Sequence, residues 1–98
     1  MARVSDSKWE QRVVVGLARE LSRRAMSHQP ETATAMAAGG AAGLEPIEVV
    51  KAMSTLIAGG YVREQGSERE TLDPYTEVPI ELTDAGLVFL AEQAEPEA

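Results

Sequence analysis

The chain has 98 residues, of which 44% are hydrophobic, and a formal net charge of −7. This length allows one domain with a single modest core, and the hydrophobic content excludes a disordered chain. The sequence contains no cysteine and one histidine, His28, which excludes disulfides, thiolate metal sites and a metal site built from histidines alone.

The charge is divided unevenly along the chain. Residues 1–30 contain six basic and three acidic residues, whereas residues 31–98 contain three basic and thirteen acidic residues. Phosphate binding needs local positive charge, so the first segment is the candidate electropositive surface, while acidity elsewhere favours solubility. Because no apolar run approaches the roughly 18 residues of a membrane span and no secretory leader pattern opens the chain, we expect a cytoplasmic protein without a membrane partner.

The first predicted helix spans about residues 6–27, after possible N-caps at 5–7 and before Pro30, which disfavours helical geometry at Gln29. Its apolar side repeats with helical spacing and consists of Trp9, Val13, Val14, Leu17, Leu21 and Ala25. The opposite side carries a basic stripe within about 60° of arc, made of Lys8, Arg12, Arg19 and Arg23. This stripe is either a solvated helix face or a surface that contacts phosphates or an acidic patch.

The second predicted helix is short and interrupted by glycine. Residues 31–38 have helix-forming composition, with a possible N-cap at Thr32, and Gly39 and Gly40 follow. Each glycine costs about 1 kcal/mol relative to alanine inside a helix. The pair either permits close helix packing or ends the helix early, and we expect the helix to continue imperfectly to Ala42.

The third predicted helix begins at Pro46, a residue favoured in a first turn, and stops at Gly59-Gly60, which favour a left-handed stop. Its apolar stripe consists of Val49, Val50, Met53, Leu56 and Ile57. Its outward face is expected to contain Glu48, Lys51, Ala52 and Thr55.

A β-ribbon and a last helix are predicted next. The strands are expected at 61–65 and 77–82, separated by a charged, turn-rich loop, with Pro79 on an unpaired edge because it lacks a donor. Thr83 is the expected cap of the last helix, whose inner face would consist of Leu87, Leu90 and Ala91, with Val88 or Phe89 at its margin. The single domain is expected to be ordered over about residues 6–93, between a frayed N-terminus and an acidic tail.

Several motifs resemble the winged helix-turn-helix superfamily, in particular small MarR-like and PadR-like transcriptional regulators. The matching positions are Gly43, Leu44, Pro46, Val49, Ala52, Leu56, Gly60, Tyr61 and Val62, followed by Leu82, Thr83 and Gly86. The resemblance covers about residues 9–93. It implies a mainly α (α+β) fold: a three-helix core, a two-stranded β-wing and a C-terminal helix.

The resemblance implies a DNA-binding transcriptional regulator that needs no cofactor and forms a possible homodimer. Its third helix would enter the major groove and its wing would touch the backbone. The DNA-contacting residues would then be Lys51, Thr55, Glu48, Arg63 and Arg69, with the basic stripe Lys8, Arg12, Arg19 and Arg23 as an auxiliary contact.

The local charge favours a different function. Lys51 is the one cation near Glu45 and Glu48 on the third helix, and residues 61–77 carry five acids against Arg63 and Arg69. The alternative is therefore a winged-helix module that binds a protein partner through its acidic face or through the basic first helix; DNA mimicry by the acidic face is a third possibility. We expect no enzymatic activity, because no nucleophile–base pair, phosphate loop or metal motif occurs in the sequence.

Overall fold

Four α-helices and a two-stranded antiparallel sheet make up residues 2–67 and 72–93, which the computed structural model describes, with side chains described from Gln11 onward. In chain order the elements are α1 (Ala2–Ala25), a 3-10 turn (Pro30–Thr32), α2 (Ala35–Ala41), α3 (Pro46–Ala58), β1 (Val62–Glu64), β2 (Ile80–Leu82) and α4 (Asp84–Gln93). This confirms the predicted mainly helical α+β class.

Helix α1 is the central element, and it packs against α2, α3, β2 and α4. Its apolar side supplies a large part of the core through Val13, Val14, Leu17, Ala18 and Leu21. The helix begins at Ala2 instead of the predicted residue 6, since nothing in Ala-Arg-Val-Ser interrupts helical geometry, and it ends at Ala25 instead of residue 27. The contribution predicted for Trp9 lies outside the described side chains.

The segment between α1 and α2 differs from its prediction. Residues 30–32 form a separate 3-10 turn, in which the Thr32 hydroxyl donates to the Gln29 carbonyl at 2.7 Å instead of capping a helix. The cap of α2 is Thr34, whose Oγ1 accepts from the Ala37 amide at 3.3 Å. The predicted start and cap of this helix are therefore wrong by four and two residues, respectively.

Helix α2 runs through Gly39 and Gly40 to Ala41, which agrees with the expected imperfect continuation. Gly39 is buried against α3, and a Cβ added there would overlap the Val49 side chain. Close packing of the two helices thus accounts for one of the two glycines, whereas Gly40 faces open space.

Helix α3 matches its predicted position, with Pro46 in the first turn and a stop at Gly60, whose φ of +72° is left-handed. Val49, Met53 and Leu56 are buried, as the apolar stripe predicts. Ala52, expected to face outward, is buried at 1% exposure. The outward assignment of Ala52 was therefore wrong. The methyl side chain of alanine is tolerated in both buried and exposed positions, so helical spacing alone did not predict its burial.

The two strands form a short ribbon in which Val62 pairs with Leu82, Arg63 with Glu81 and Glu64 with Ile80. Ile80, Leu82 and Val62 turn inward onto the core. The other edge of β2 is also used, because the Ile80 amide donates to the Ala33 carbonyl at 2.8 Å. This bond attaches the segment before α2 to the ribbon.

Thr83 caps α4 as predicted, with its Oγ1 accepting from the Gly86 amide at 3.1 Å. The inner face of α4 agrees with the prediction at Leu90 and at the marginal Phe89, which pack against the core. It differs elsewhere. Gly86 is buried against the backbone of Tyr61, and Phe89 stacks on the Tyr61 ring at a centroid distance of 4.6 Å. Leu87 and Ala91 are exposed. The helix is apolar on most of its circumference, so spacing could not select the buried side.

Candidate interaction surface

The exposed side of α3, here called the α3 face, consists of Ile47, Lys51, Ser54, Thr55 and Ala58. Ile47, in the first turn of the helix, is 59% exposed and adds apolar area to this face. Lys51 is exposed and takes part in no ion pair among the described residues. The Thr55 hydroxyl donates to the Lys51 carbonyl at 3.3 Å, so it is bound weakly and stays accessible.

The acids at the start of α3 stabilise the helix. The Glu48 carboxylate accepts from the Glu45 amide at 2.8 Å, which satisfies one of the free donors at the helix N-terminus. Glu48 was predicted to be a DNA contact, and the structure gives its side chain a capping role within the protein. Negative charge in this first turn is also favoured by the helix dipole.

Arg63, the predicted backbone contact in the ribbon, is paired within the sheet. Its Nε donates to the Glu81 carboxylate at 2.6 Å, across the register pair of β1 and β2. The pair leaves little net positive charge on this part of the ribbon. Arg69 lies outside the described residues.

A groove of about 390 Å³ opens beside the α3 face. It is bounded by the start of α2, by α3 and by the loop before β2, and its lining comprises Thr34, Ala35, Met36, Val50, Pro74, Tyr75, Thr76 and Glu77. Met36 is 49% exposed and Tyr75 is 74% exposed. The groove thus presents large apolar side chains to solvent at a junction of three segments.

The loop that carries Tyr75 is ordered by its own hydrogen bonds. The Asp73 carboxylate accepts from the Tyr75 amide at 2.7 Å, and the Asp73 carbonyl accepts from the Thr76 amide at 2.9 Å. These bonds fix the chain direction on both sides of Tyr75. The backbone of Tyr75 is therefore held in place at the groove, which Val50 of α3 also lines.

The acidic rim of the groove is defined here as Glu77, which lines the groove, and Asp73, which directly precedes the lining residue Pro74. In the part of the chain that the structure describes, no lysine or arginine lines the groove. An apolar groove within an acidic rim favours a ligand that combines apolar side chains with positive charge.

The basic stripe is exposed in part. Arg12 and Arg19 face solvent, and neither forms an ion pair among the described residues. Arg23 is paired with the Glu20 carboxylate, which also accepts from Arg24 Nε at 3.0 Å. The hydrogen bond from Arg23 holds the pKa of Glu20 below its ordinary value, so this acid stays ionised and offsets the stripe at neutral pH. The side chain of Lys8 lies outside the described part.

The basic stripe and the α3 face lie on opposite sides of the domain. The two helices pack through their buried sides, around Leu17 and Leu21 of α1 and around Met53 and Leu56 of α3. Arg12 and Arg19 are about half a turn away from Leu17 and Leu21 around α1, at 100° per residue. The structure therefore does not bring the predicted DNA-contacting residues of α3 and the auxiliary stripe into one surface.

The groove was not predicted from the sequence. Met36 and Val50 read as ordinary apolar positions of two helices, and Tyr75 sits in a loop that was noted for its charge. The available signal was an aromatic residue directly after Pro74, where a turn places side chains outward. The meeting of the three segments depends on tertiary structure.

In the part of the chain that the structure describes, no cluster of three or more histidine, aspartate or glutamate side chains is placed to hold a metal ion. No helix within the same residues has both the length and the apolar character required to cross a membrane. Comparison of the chain with protein-family models, with curated proteins and with solved structures finds no match.

Proposed function

We propose that this chain is a winged-helix domain that binds a protein partner through the α3 face and the adjoining groove. The element order supports the winged-helix assignment: three helices, a β-ribbon and a fourth helix, with α3 exposed after a tight turn. The bond between Ala33 and Ile80 adds support, because it joins the segment before α2 to the ribbon beside α3.

The observation that carries the protein-binding proposal is the character of this surface. Ile47, Met36 and Tyr75 expose apolar area, while Arg63 is paired with Glu81. A DNA-binding surface is rich in lysine and arginine side chains that are not paired with acids, because neutralisation of the phosphates supplies much of the affinity. Exposed aromatic and methionine side chains around a groove are instead typical of protein interfaces.

The test uses an arginine- and leucine-containing amphipathic peptide as a probe, labelled for fluorescence anisotropy. We expect binding that weakens about tenfold on Tyr75→Ala, since a central aromatic anchor is worth more than about 1.4 kcal/mol. Tyr75 is 74% exposed, so its removal leaves the fold intact.

Val88→Ala is the matched control, because Val88 is also exposed, at 58%, but lies on α4 and away from the groove. Its affinity for the peptide should equal that of the wild type. Equal affinity of the Tyr75→Ala protein would contradict binding in the groove and would reduce the interaction to general attraction between a cationic peptide and an acidic protein.

DNA binding through α3 is the second candidate, and the exposure of Lys51 together with Thr55 on one helix favours it. Under this candidate, Lys51→Ala should weaken duplex binding for all sequences and lower the slope of log K against log salt by about one unit. A salt titration with random duplex DNA measures both quantities. If the wild-type protein binds no duplex at a low salt concentration of about 50 mM, this candidate fails.

A further inference from the structure

We propose that the groove of one molecule receives the basic stripe of a second copy, so that the protein self-associates head to tail. This inference rests on the proposed function and names the partner as the chain itself. The argument depends on the composition of the two surfaces and on their placement in the fold.

The two surfaces are complementary in charge. The stripe exposes Arg12 and Arg19, and the groove has the acidic rim of Asp73 and Glu77, both of which are exposed. The chain thus contains both members of an attractive pair, and its own charge division places them in different segments. Opposite charges of this kind steer association and select orientation.

The stripe also ends in an apolar side chain. Met26 directly follows α1, is 75% exposed, and its amide donates to the Ser22 carbonyl at 3.1 Å, so the helical path continues through it. Seven residues after Arg19, it lies within about 20° of that arginine around the helix axis. The second copy therefore presents cations followed by a flexible apolar side chain, which matches a groove containing Met36, Val50 and Tyr75.

The placement of the surfaces determines the kind of assembly. Because the stripe and the α3 face point away from each other, a molecule whose groove is occupied still presents a free stripe. Such a contact joins two different surfaces. Repeated from molecule to molecule, it builds open filaments or closed rings instead of a two-fold dimer. Each exposed ion pair contributes little to the free energy of association and is screened by salt. The assembly should therefore be weak and should dissociate at high ionic strength.

A charge exchange between two variants tests this arrangement. The stripe variant is Arg12→Glu with Arg19→Glu, and the rim variant is Asp73→Asn with Glu77→Lys. Asparagine retains an oxygen that can accept from the Tyr75 amide, so the loop keeps its turn. All four side chains are exposed, and thermal melts should stay near that of the wild type.

Sedimentation velocity at increasing protein concentration is the measurement. In low salt, about 20 mM, we expect the wild-type sedimentation coefficient to rise with concentration beyond the dimer, and to return to the monomer value at about 500 mM. Each variant alone should remain monomeric, because its stripe and rim now have the same sign. An equal mixture of the two should associate again, since the acidic stripe of one fits the basic rim of the other and the converse pair stays intact.

Three outcomes overturn the proposal: a wild-type protein that stays monomeric at low salt, a stripe variant that associates like the wild type, or a mixture that fails to associate. A salt-insensitive species that stops at the dimer also contradicts it. The amphipathic peptide separates this failure from failure of the proposed function. If the stripe variant binds the peptide and Tyr75→Ala weakens that binding about tenfold, the groove is an interaction site and only the identity of the partner is wrong.

Discussion

Leu56→Ala is expected to lower the free energy of unfolding by about 2–5 kcal/mol, through lost transfer energy and the cavity left behind. Leu56 is fully buried within the core shared by α1 and α3, beside Met53 and Leu17. Domains of this size are marginally stable, so this change removes a large part of the total. Chemical denaturation or a thermal melt measures it.

Thr55→Ala is the matched control for this experiment. Thr55 is the neighbouring residue on α3 and is exposed. Its hydroxyl donates a hydrogen bond to the Lys51 carbonyl within the same helix. Its replacement should change the unfolding free energy by no more than about 0.5 kcal/mol. A Leu56→Ala melting temperature within a degree of the wild type would mean that the inner face of α3 is wrongly assigned.

Gly39→Ala and Gly40→Ala are expected to change stability in opposite directions. A Cβ on Gly39 would overlap the Val49 side chain, which is itself buried at 1% exposure and cannot move aside freely. Overpacking of this kind costs about 1–3 kcal/mol, of which the better helix propensity of alanine recovers up to about 1 kcal/mol. Gly40 has no neighbour within 4 Å of the added Cβ, so alanine there should stabilise by about 0.4–1 kcal/mol.

The two denaturation midpoints, measured side by side, test this prediction because the residues are adjacent in the same helix. Adding Val49→Ala to Gly39→Ala should cost less than the sum of the two single changes, since the smaller side chain makes room for the new methyl group. Equal effects of Gly39→Ala and Gly40→Ala would contradict the close approach of α2 to α3.

The agreement between pattern and structure was best where several local signals coincided. Helix α3 combined a first-turn proline, an apolar stripe and a terminal glycine pair, and it lies where it was predicted. Thr83 likewise combined an N-cap residue with a following apolar run, and it caps α4. The prediction was weaker around α2, where Thr32 was predicted as the cap and Thr34, a residue of the same type, caps the helix.

The sequence patterns predicted burial incorrectly where a helix has apolar or small side chains on more than one face. Ala52 was placed outward and is buried, while Leu87 was placed inward and is 39% exposed. Neither residue carries a polar group that would penalise the wrong direction. The close approach of Gly86 to Tyr61 and the stacking of Phe89 on the Tyr61 ring help to fix the rotation of α4.

The sequence by itself determined the order of the elements, the position of α3 and the division of charge between the first helix and the rest, because these depend on local propensity and composition. The tertiary structure decided which charges remain available: it pairs Arg63 with Glu81 and Arg23 with Glu20, and it separates the basic stripe from the α3 face. It also assembled the groove from Met36, Val50 and Tyr75, which lie far apart in the chain. The physical reason is that a surface is a property of which segments pack together, and local spacing contains no information on distances between segments.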